Sequence, residues 1–343
     1  MFPVKGHGDG QTARLPAYLQ IEPAGVCNLR CAMCAIRVRR DNRPAARAYM
    51  QPDLFRRTVD ALPGLERLHL QGLGEPLLSP HFFGMAAYAA SKGVAVTASS
   101  NLTLLDEAAA RALVESGLQC LHVSVDGASA AVYESIRKGA SFGRLLANIR
   151  LLEKAKDGAQ SRLPALRMTV VLMRRNLAEL TRLVELASGL AMEQVFIQGL
   201  CHSFQEPGLP AHYAPMREYA QREGLADAPP EEIAERFGEA RARAVTLGID
   251  LRLPPRPGDD ASPGRAGQGA CDWPETGIYI SYQGYVMPCC MAATPDRVNF
   301  GKTRGNDIAD IWNGRASGAF RQRLASADPP DICKSCALYT GAF

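Results

Sequence analysis

Leu19-Gln-Ile-Glu-Pro-Ala-Gly-Val-Cys27-Asn-Leu-Arg-Cys31-Ala-Met-Cys34 opens as a short strand-like run, Leu19–Glu22, and ends in three closely spaced cysteines on the loop behind it. Working outward, further strand-like runs follow at Arg67–Gln71, Val94–Ala98, Cys120–Val125, Leu166–Leu172 and Gln194–Gln198. Amphipathic stretches separate them: Pro52–Leu62, His81–Lys92, Asp106–Ser116, Phe142–Lys156 and Asn176–Ser188. Strands that alternate with helices at this spacing pair in parallel through right-handed crossovers. Six such units predict an α/β fold, a partial (β/α)6 TIM-like barrel whose site lies at the C-terminal strand ends. Beyond Gln198 the pattern breaks. Residues 201–229 read as loop-rich and Pro230–Leu247 as helix. Leu253–Gly269 is dense in Pro, Gly and Asp. The expected division is a lead-in at 1–16, the barrel with its following helical segment at 17–252, a linker at 253–270 and a small cysteine-bearing domain at 271–343. That last part holds a hairpin-like piece (Ile278–Ser281, a turn at Gln283–Gly284, Tyr285–Met287) and a helical piece near Ile308–Leu324.

Of 343 residues, 47% are hydrophobic, enough for a sizeable core, and a net charge of +4 does not by itself imply nucleic acid. The polar opening Met1–Gly10 has no signal-peptide run, and no stretch is apolar enough to span a bilayer. The chain therefore reads as cytoplasmic, with neither a membrane nor a nucleic-acid partner. In that setting ten cysteines point to metal or redox chemistry before disulfides.

Cys27, Cys31 and Cys34 form C-x3-C-x2-C. Three thiolates can hold three irons of a [4Fe–4S] cluster and leave the fourth open to an outside ligand. A structural zinc site would want a fourth ligand from elsewhere. This loop after the first strand resembles the signature of the radical SAM superfamily, and the resemblance covers about residues 17–200. Gly72-Leu-Gly-Glu-Pro76 stands where that family carries Gly-Gly-Glu-Pro; Leu73 replaces a glycine, so Gly74, Glu75 and Pro76 carry the match. The resemblance implies that this segment takes the amino group of S-adenosylmethionine, since an ammonium needs oxygen acceptors. Asn101 resembles the ribose-contacting Asn of the family, although the usual following Gly is Leu102 here. Ser124-Val-Asp-Gly127 and Tyr133-Glu-Ser-Ile-Arg137 resemble the pattern in which Ser124 and Arg137 hold the cofactor carboxylate, for which a guanidinium fork is suited. Alternatively, Ser124 and Asp126 cap the next helix and Arg137 is a solvated helix end. Met33 stands where the family places a residue against the adenine, and packing is the other reading. The implied chemistry is reductive cleavage of S-adenosylmethionine to a 5′-deoxyadenosyl radical that abstracts hydrogen from substrate, with an electron donor such as flavodoxin or ferredoxin.

Cys271, then twelve residues, Gly284, four residues and Cys289 resemble the start of the SPASM pattern of auxiliary-cluster radical SAM enzymes. Gly284 suits the hairpin turn that brings the two cysteines together. Cys333-Lys-Ser-Cys336 follows, with no later Cys. Cys271, Cys289, Cys333 and Cys336 would complete one auxiliary [4Fe–4S] site, similar to the shortened twitch domain of aminocyclitol-oxidising members; a four-Cys zinc site is the alternative. Two [4Fe–4S] clusters are therefore expected. Cys290 has no assigned role, and Cys120, at a strand start, reads as core.

Arg37, Arg39, Arg40, Arg43 and Arg47 crowd the segment behind the first cysteines. They read as a solvated loop or as a counter-charge to the thiolates, or else as a clamp for an anionic substrate group. Cys201 and His202 follow the sixth strand and should face the barrel mouth, Cys201 as a hydrogen-atom donor and His202 as a general base; packing and a satisfied core His are the alternatives. The expected function is a radical SAM oxidoreductase or isomerase that dehydrogenates or epimerises a small polar molecule: a sugar, aminocyclitol or nucleotide-sugar. The second reading is a peptide or protein maturase. The third is a non-catalytic zinc-binding scaffold.

Overall fold

A computed structural model describes residues 15–40, 48–200, 202–254, 271–292 and 294–340. Among the described residues one sheet is built from nine strands: β1 (Tyr18–Ile21), β2 (Arg67–Leu70), β3 (Ala95–Ser100), β4 (Cys120–Ser124), β5 (Ala165–Val171), β6 (Gln194–Gln198), β7 (Asp250–Arg252), β8 (Gly277–Ile280) and β9 (Val286–Met287). Strands β1 to β7 follow one another in space as in sequence, each parallel to the next. This is the parallel α/β arrangement that the alternating pattern predicts.

The crossovers are helices α1 (Pro52–Asp60), α2 (Phe82–Ser91), α3 (Glu107–Glu115), α4 (Ala130–Ile136), α5 (Phe142–Gly158), α6 (Arg174–Leu177) and α7 (Leu180–Gly189); α8 (Ala214–Glu223) and α9 (Pro230–Leu247) follow β6. Local chemistry sets their ends. Asp106, Ser129 and Ser141 cap α3, α4 and α5 by accepting from the N–H groups of Ala109, Val132 and Arg144. Ser124 and Asp126 are therefore not the helix caps, and both are left for the site.

One face of each central strand is dry. Leu19, Ile21, Leu68, Leu70, Val96, Ala98, Leu121, Val123, Met168, Val170, Val195 and Ile197 are buried beneath the helices. The opposite face carries His69, Thr97, Ser99, His122, Arg167, Thr169 and Phe196, all less buried. A period of two thus separates a packed outer layer from a polar barrel interior.

The C-terminal cysteine region is stitched into this sheet. β8 runs parallel to β1, pairing Tyr18 with Gly277 and Ile21 with Ile280, and then turns through Gly284 (φ 89°) into the antiparallel β9. The left-handed backbone at that turn explains the glycine. The helical piece expected near Ile308–Leu324 is two helices, α10 (Ile308–Asn313) and α11 (Arg315–Leu324), parted at Gly314. Most of the expected linker, residues 255–270, lies outside the described residues. Among the described residues no helix is long and apolar enough to cross a membrane.

Candidate active site and cluster-binding cavities

Where β1 ends, the chain turns through Val26 into the cysteine loop, whose backbone is fixed from two sides. Arg30 and Ala32 donate to the carbonyls of Lys138 and Ile136 at the end of α4, and Glu75 donates to that of Val26. Gly74 has to be glycine, because a Cβ there would stand 1.9 Å from the Ala24 carbonyl oxygen. Behind the loop Arg39 and Glu22 form a buried pair, with Arg39 Nη1 2.7 Å from Glu22 Oε1. Glu22 also accepts from the N–H groups of Leu73 and Tyr282. Arg39 thus ties the loop to the glycine segment and to the C-terminal hairpin, which corrects its expected place in a solvated loop or substrate clamp. Arg43 and Arg47 lie outside the described residues.

A cavity of about 420 Å³ opens at the C-terminal strand ends. Cys27, Cys31, Cys34, Met33, Gly74, Glu75, Asn101, Ser124, Arg137 and His202 all line it. Pro76 sits behind its wall, starting a short 3-10 turn. Cys201 lies outside the described residues. The Glu75 carboxylate is buried and already engaged: Ser100 Oγ donates at 2.6 Å, Asn101 N at 2.8 Å and Leu77 N at 3.2 Å. It joins the glycine segment to the end of β3 and leaves backbone atoms of residues 72–74 to face the cavity. Asn101 accepts from Thr103 N and donates to Asn28 Oδ1 at 3.0 Å. Leu102, in the family's glycine position, keeps the left-handed backbone at φ 57° and is wholly buried. Arg137 is aimed by a buried ion pair, Nε 2.7 Å from Asp126 Oδ2, and its Nη1 reaches Cys31 Sγ at 3.9 Å.

Sequence reasoning passed over His69, Gln71, Ser99, His122, Thr169, Phe196 and Gln198, which line the same cavity. His69 is tied to Thr97 Oγ1 (2.7 Å), Gln71 Oε1 (2.6 Å) and Ser99 Oγ (3.1 Å), and its ring meets that of His122 edge-on at 5.7 Å. Burial drives the pKa of His69 down to about 4 and that of His122 to about 3, so both rings are neutral hydrogen-bonding groups. The usable signal was the alternation in Arg67–Gln71 and Cys120–Ser124, which puts every polar residue on one face.

Both cysteine sets suit clusters. Burial pushes the Cys27 thiol up to about 11 and the Cys34 thiol to about 12. Such thiols ionise only beside a strong cation, as coordinated iron is. Donors already face their sulfurs: Leu29 N at 3.4 Å and Asn101 Nδ2 at 3.8 Å from Cys27, and Arg137 at Cys31. Cys271, Cys289, Cys333 and Cys336 line a second, more enclosed cavity with Trp273, Ile332 and Tyr339. There the N–H groups of Trp273, Ala292 and Tyr339 face Cys271, Cys289 and Cys336. Cys290 lines the barrel cavity and not this one, although it packs on the same apolar cluster as Cys271 and Cys289. Among the described residues no three His, Cys, Asp or Glu side chains are gathered tightly enough to share a single ion. A cubane, whose ligands sit on different irons, does not ask for that.

Residues 21–187 match the model of the radical SAM superfamily, and residues 271–337 match that of the SPASM iron–sulfur cluster-binding domain. The tungsten-containing aldehyde ferredoxin oxidoreductase cofactor-modifying protein of Pyrococcus furiosus is 25% identical over 94% of this chain and 87% of its own length. PqqA peptide cyclase of Rhodopseudomonas palustris is 26% identical, over 96% of this chain and 81% of its own. Streptococcus suis SuiB, solved with precursor peptide SuiA, superposes at a TM-score of 0.69 with 14% identity, over 95% of this chain and 71% of that one. BtrN, solved with AdoMet and 2-DOIA, gives 0.51 at 15% identity, over 96% and 93%. The curated relatives overturn the expected sugar, aminocyclitol or nucleotide-sugar substrate, since one aligned along nearly the whole chain is a peptide cyclase. With the barrel and the C-terminal cysteine region each matched, the chain belongs to the radical SAM superfamily as a SPASM-type enzyme, whose cofactors are S-adenosylmethionine and [4Fe–4S] clusters.

Proposed function

We propose that this enzyme modifies a peptide or protein, taking hydrogen from a residue presented at the barrel mouth. The observation that carries this reading is the alignment with PqqA peptide cyclase along 96% of the chain. The cavity agrees with it. Apart from the cofactor-site residues Glu75 and Arg137, its described lining carries no permanently charged side chain. Neutral imidazoles, hydroxyls and carboxamides form one part and Leu200, Met216, Tyr219 and Phe196 another. Such a lining suits an uncharged peptide segment better than a phosphate or carboxylate, whose charge it would leave unpaired.

Cys27, Cys31 and Cys34 would hold the first cluster, and S-adenosylmethionine bound beside it would supply the hydrogen-abstracting radical chemistry. The chain's own residues orient and enclose. Arg137, braced by Asp126, and Ser124 take the cofactor carboxylate. Backbone acceptors of residues 72–74 take its amino group, Asn101 the ribose, and Met33 packs on the adenine. Cys271, Cys289, Cys333 and Cys336 would hold the second cluster, which would supply a one-electron redox centre beside the barrel. An external one-electron donor of the flavodoxin or ferredoxin kind completes the set.

The test is anaerobic turnover with deuterated peptides against deuterated sugars and aminocyclitols, reading deuterium in 5′-deoxyadenosine. Label from a peptide, together with a mass change in that peptide, is expected. Label from a sugar alone would overturn the reading.

A further inference from the structure

His202 belongs to the walls of both cavities, the barrel cavity and the one lined by Cys271, Cys289, Cys333 and Cys336. Its backbone bridges to that of Cys336, and Ser203 N donates to the Ser335 carbonyl at 3.2 Å. The residue is 6% exposed. Its Nδ1 lies 3.5 Å from Arg297 Nη2 and 3.5 Å from Ser335 Oγ. A guanidinium only donates, so Nδ1 accepts and the ring proton sits on Nε2. Arg297 is itself held: Glu206 pairs with it in the interior, and Phe204 and Tyr213 stack on it at 5.0 and 5.6 Å. The donor and the tautomer are therefore fixed by packed groups.

The Nε2 proton is buried and has no hydrogen-bond partner. The Met291 carbonyl lies near enough to act as a weak acceptor for the ring, but the contact falls short of hydrogen-bond geometry at Nε2. A buried N–H left without an acceptor costs roughly 1–3 kcal/mol, so one so firmly oriented points to an acceptor in the loaded protein. The barrel cavity is open to water. The second cavity is the more enclosed and is apolar apart from its thiols and His202, and the ring is carried on backbone bridged to one of those thiols.

We propose that His202 donates an Nε2–H···S hydrogen bond to the auxiliary cluster or to one of its ligating sulfurs, and thereby sets that cluster's potential. His202 is then a positioning residue, with Arg297 and Glu206 as its supports. The inference rests on Cys271, Cys289, Cys333 and Cys336 being ligands. A hydrogen bond to sulfur stabilises the reduced, more negative cluster, so its removal lowers the potential.

The experiment is an EPR-monitored redox titration of anaerobically reconstituted full chain, as wild type, His202→Phe and His202→Gln. The Phe variant keeps a ring without a donor; its auxiliary cluster should titrate at lower potential while the N-terminal cluster is unmoved. The Gln variant, which keeps an N–H donor, should lie nearer to wild type. In unsubstituted protein, nitrogen-15 labelled histidine should add a nitrogen coupling to the reduced auxiliary cluster in pulsed EPR, a reading that needs no variant. An unshifted potential in a Phe variant that retains both clusters, or no nitrogen coupling, would overturn the proposal alone. Wild-type protein holding only about four irons would overturn it together with the ligand assignment.

Discussion

Leu102 shows how one residue can satisfy two demands at once. Its φ of 57° is a glycine conformation, yet the side chain is fully buried. Left-handed backbone costs a leucine about 1–2 kcal/mol, whereas deleting a buried leucine costs about 2–5 kcal/mol. Leu102→Gly should therefore lower stability in urea unfolding even though it restores the family's usual residue; a more stable variant would contradict this balance. Cys289 and Cys290 make a second contrast, adjacent in sequence but lining different cavities. Cys290→Ala should keep its full iron, and Cys289→Ala should lose about four irons per chain, measured as iron and sulfide after anaerobic reconstitution. The sequence showed Cys27, Cys31 and Cys34 plainly because a local spacing carries them. Which of Cys289 and Cys290 turns to the second site depends on how β9 enters its 3-10 turn, Cys290–Ala292, and no spacing records that.

At the scale of elements, β1 to β6 and their crossovers were legible because hydrophobic period and turn chemistry agree in each. Other elements were harder to see: β7 has only three residues, α8 lies inside a stretch read as loop, and α4 was implied only by the helix-end alternative for Arg137. The pairing of β8 with β1 joins Tyr18 to Gly277, and nothing local to either strand names its neighbour. The inward polar row was visible as alternation, but its meaning needed the sheet to close around it. His69 and His122 test that row. Burial lowers both pKa values from 6.5, to about 4 and about 3, so between these values and 6.5 the unfolded chain binds protons that the folded chain does not. Their contribution is intact above the unfolded value and is lost as pH falls through that window. Calorimetry should find that wild type loses Tm between about pH 7 and about pH 5, and that a His69→Gln, His122→Gln variant loses less; equal slopes would contradict neutral, buried imidazoles.

Across the whole molecule, the C-terminal part completes the barrel sheet as well as carrying cysteines. Removing residues 255–343 would turn β1, with Leu19 and Ile21 fully buried, into a bare sheet edge. It would also strip Glu206 of Arg297, its partner in the interior, a loss worth about 3–5 kcal/mol. A chain ending at residue 254 should aggregate when expressed alone, as sedimentation would show; a soluble monomer that unfolds cooperatively would mean the two parts are separable. The proposed chemistry needs two clusters of unlike exposure in one chain: one with three thiol ligands facing the cofactor cavity, the other with four in a separate cavity. EPR of the reduced, reconstituted protein with and without S-adenosylmethionine addresses this directly. The spectrum of one cluster should change on addition, that change should persist in Cys289→Ala, and the second cluster should be indifferent. No change in either cluster, or a response lost with Cys289, would contradict the assignment.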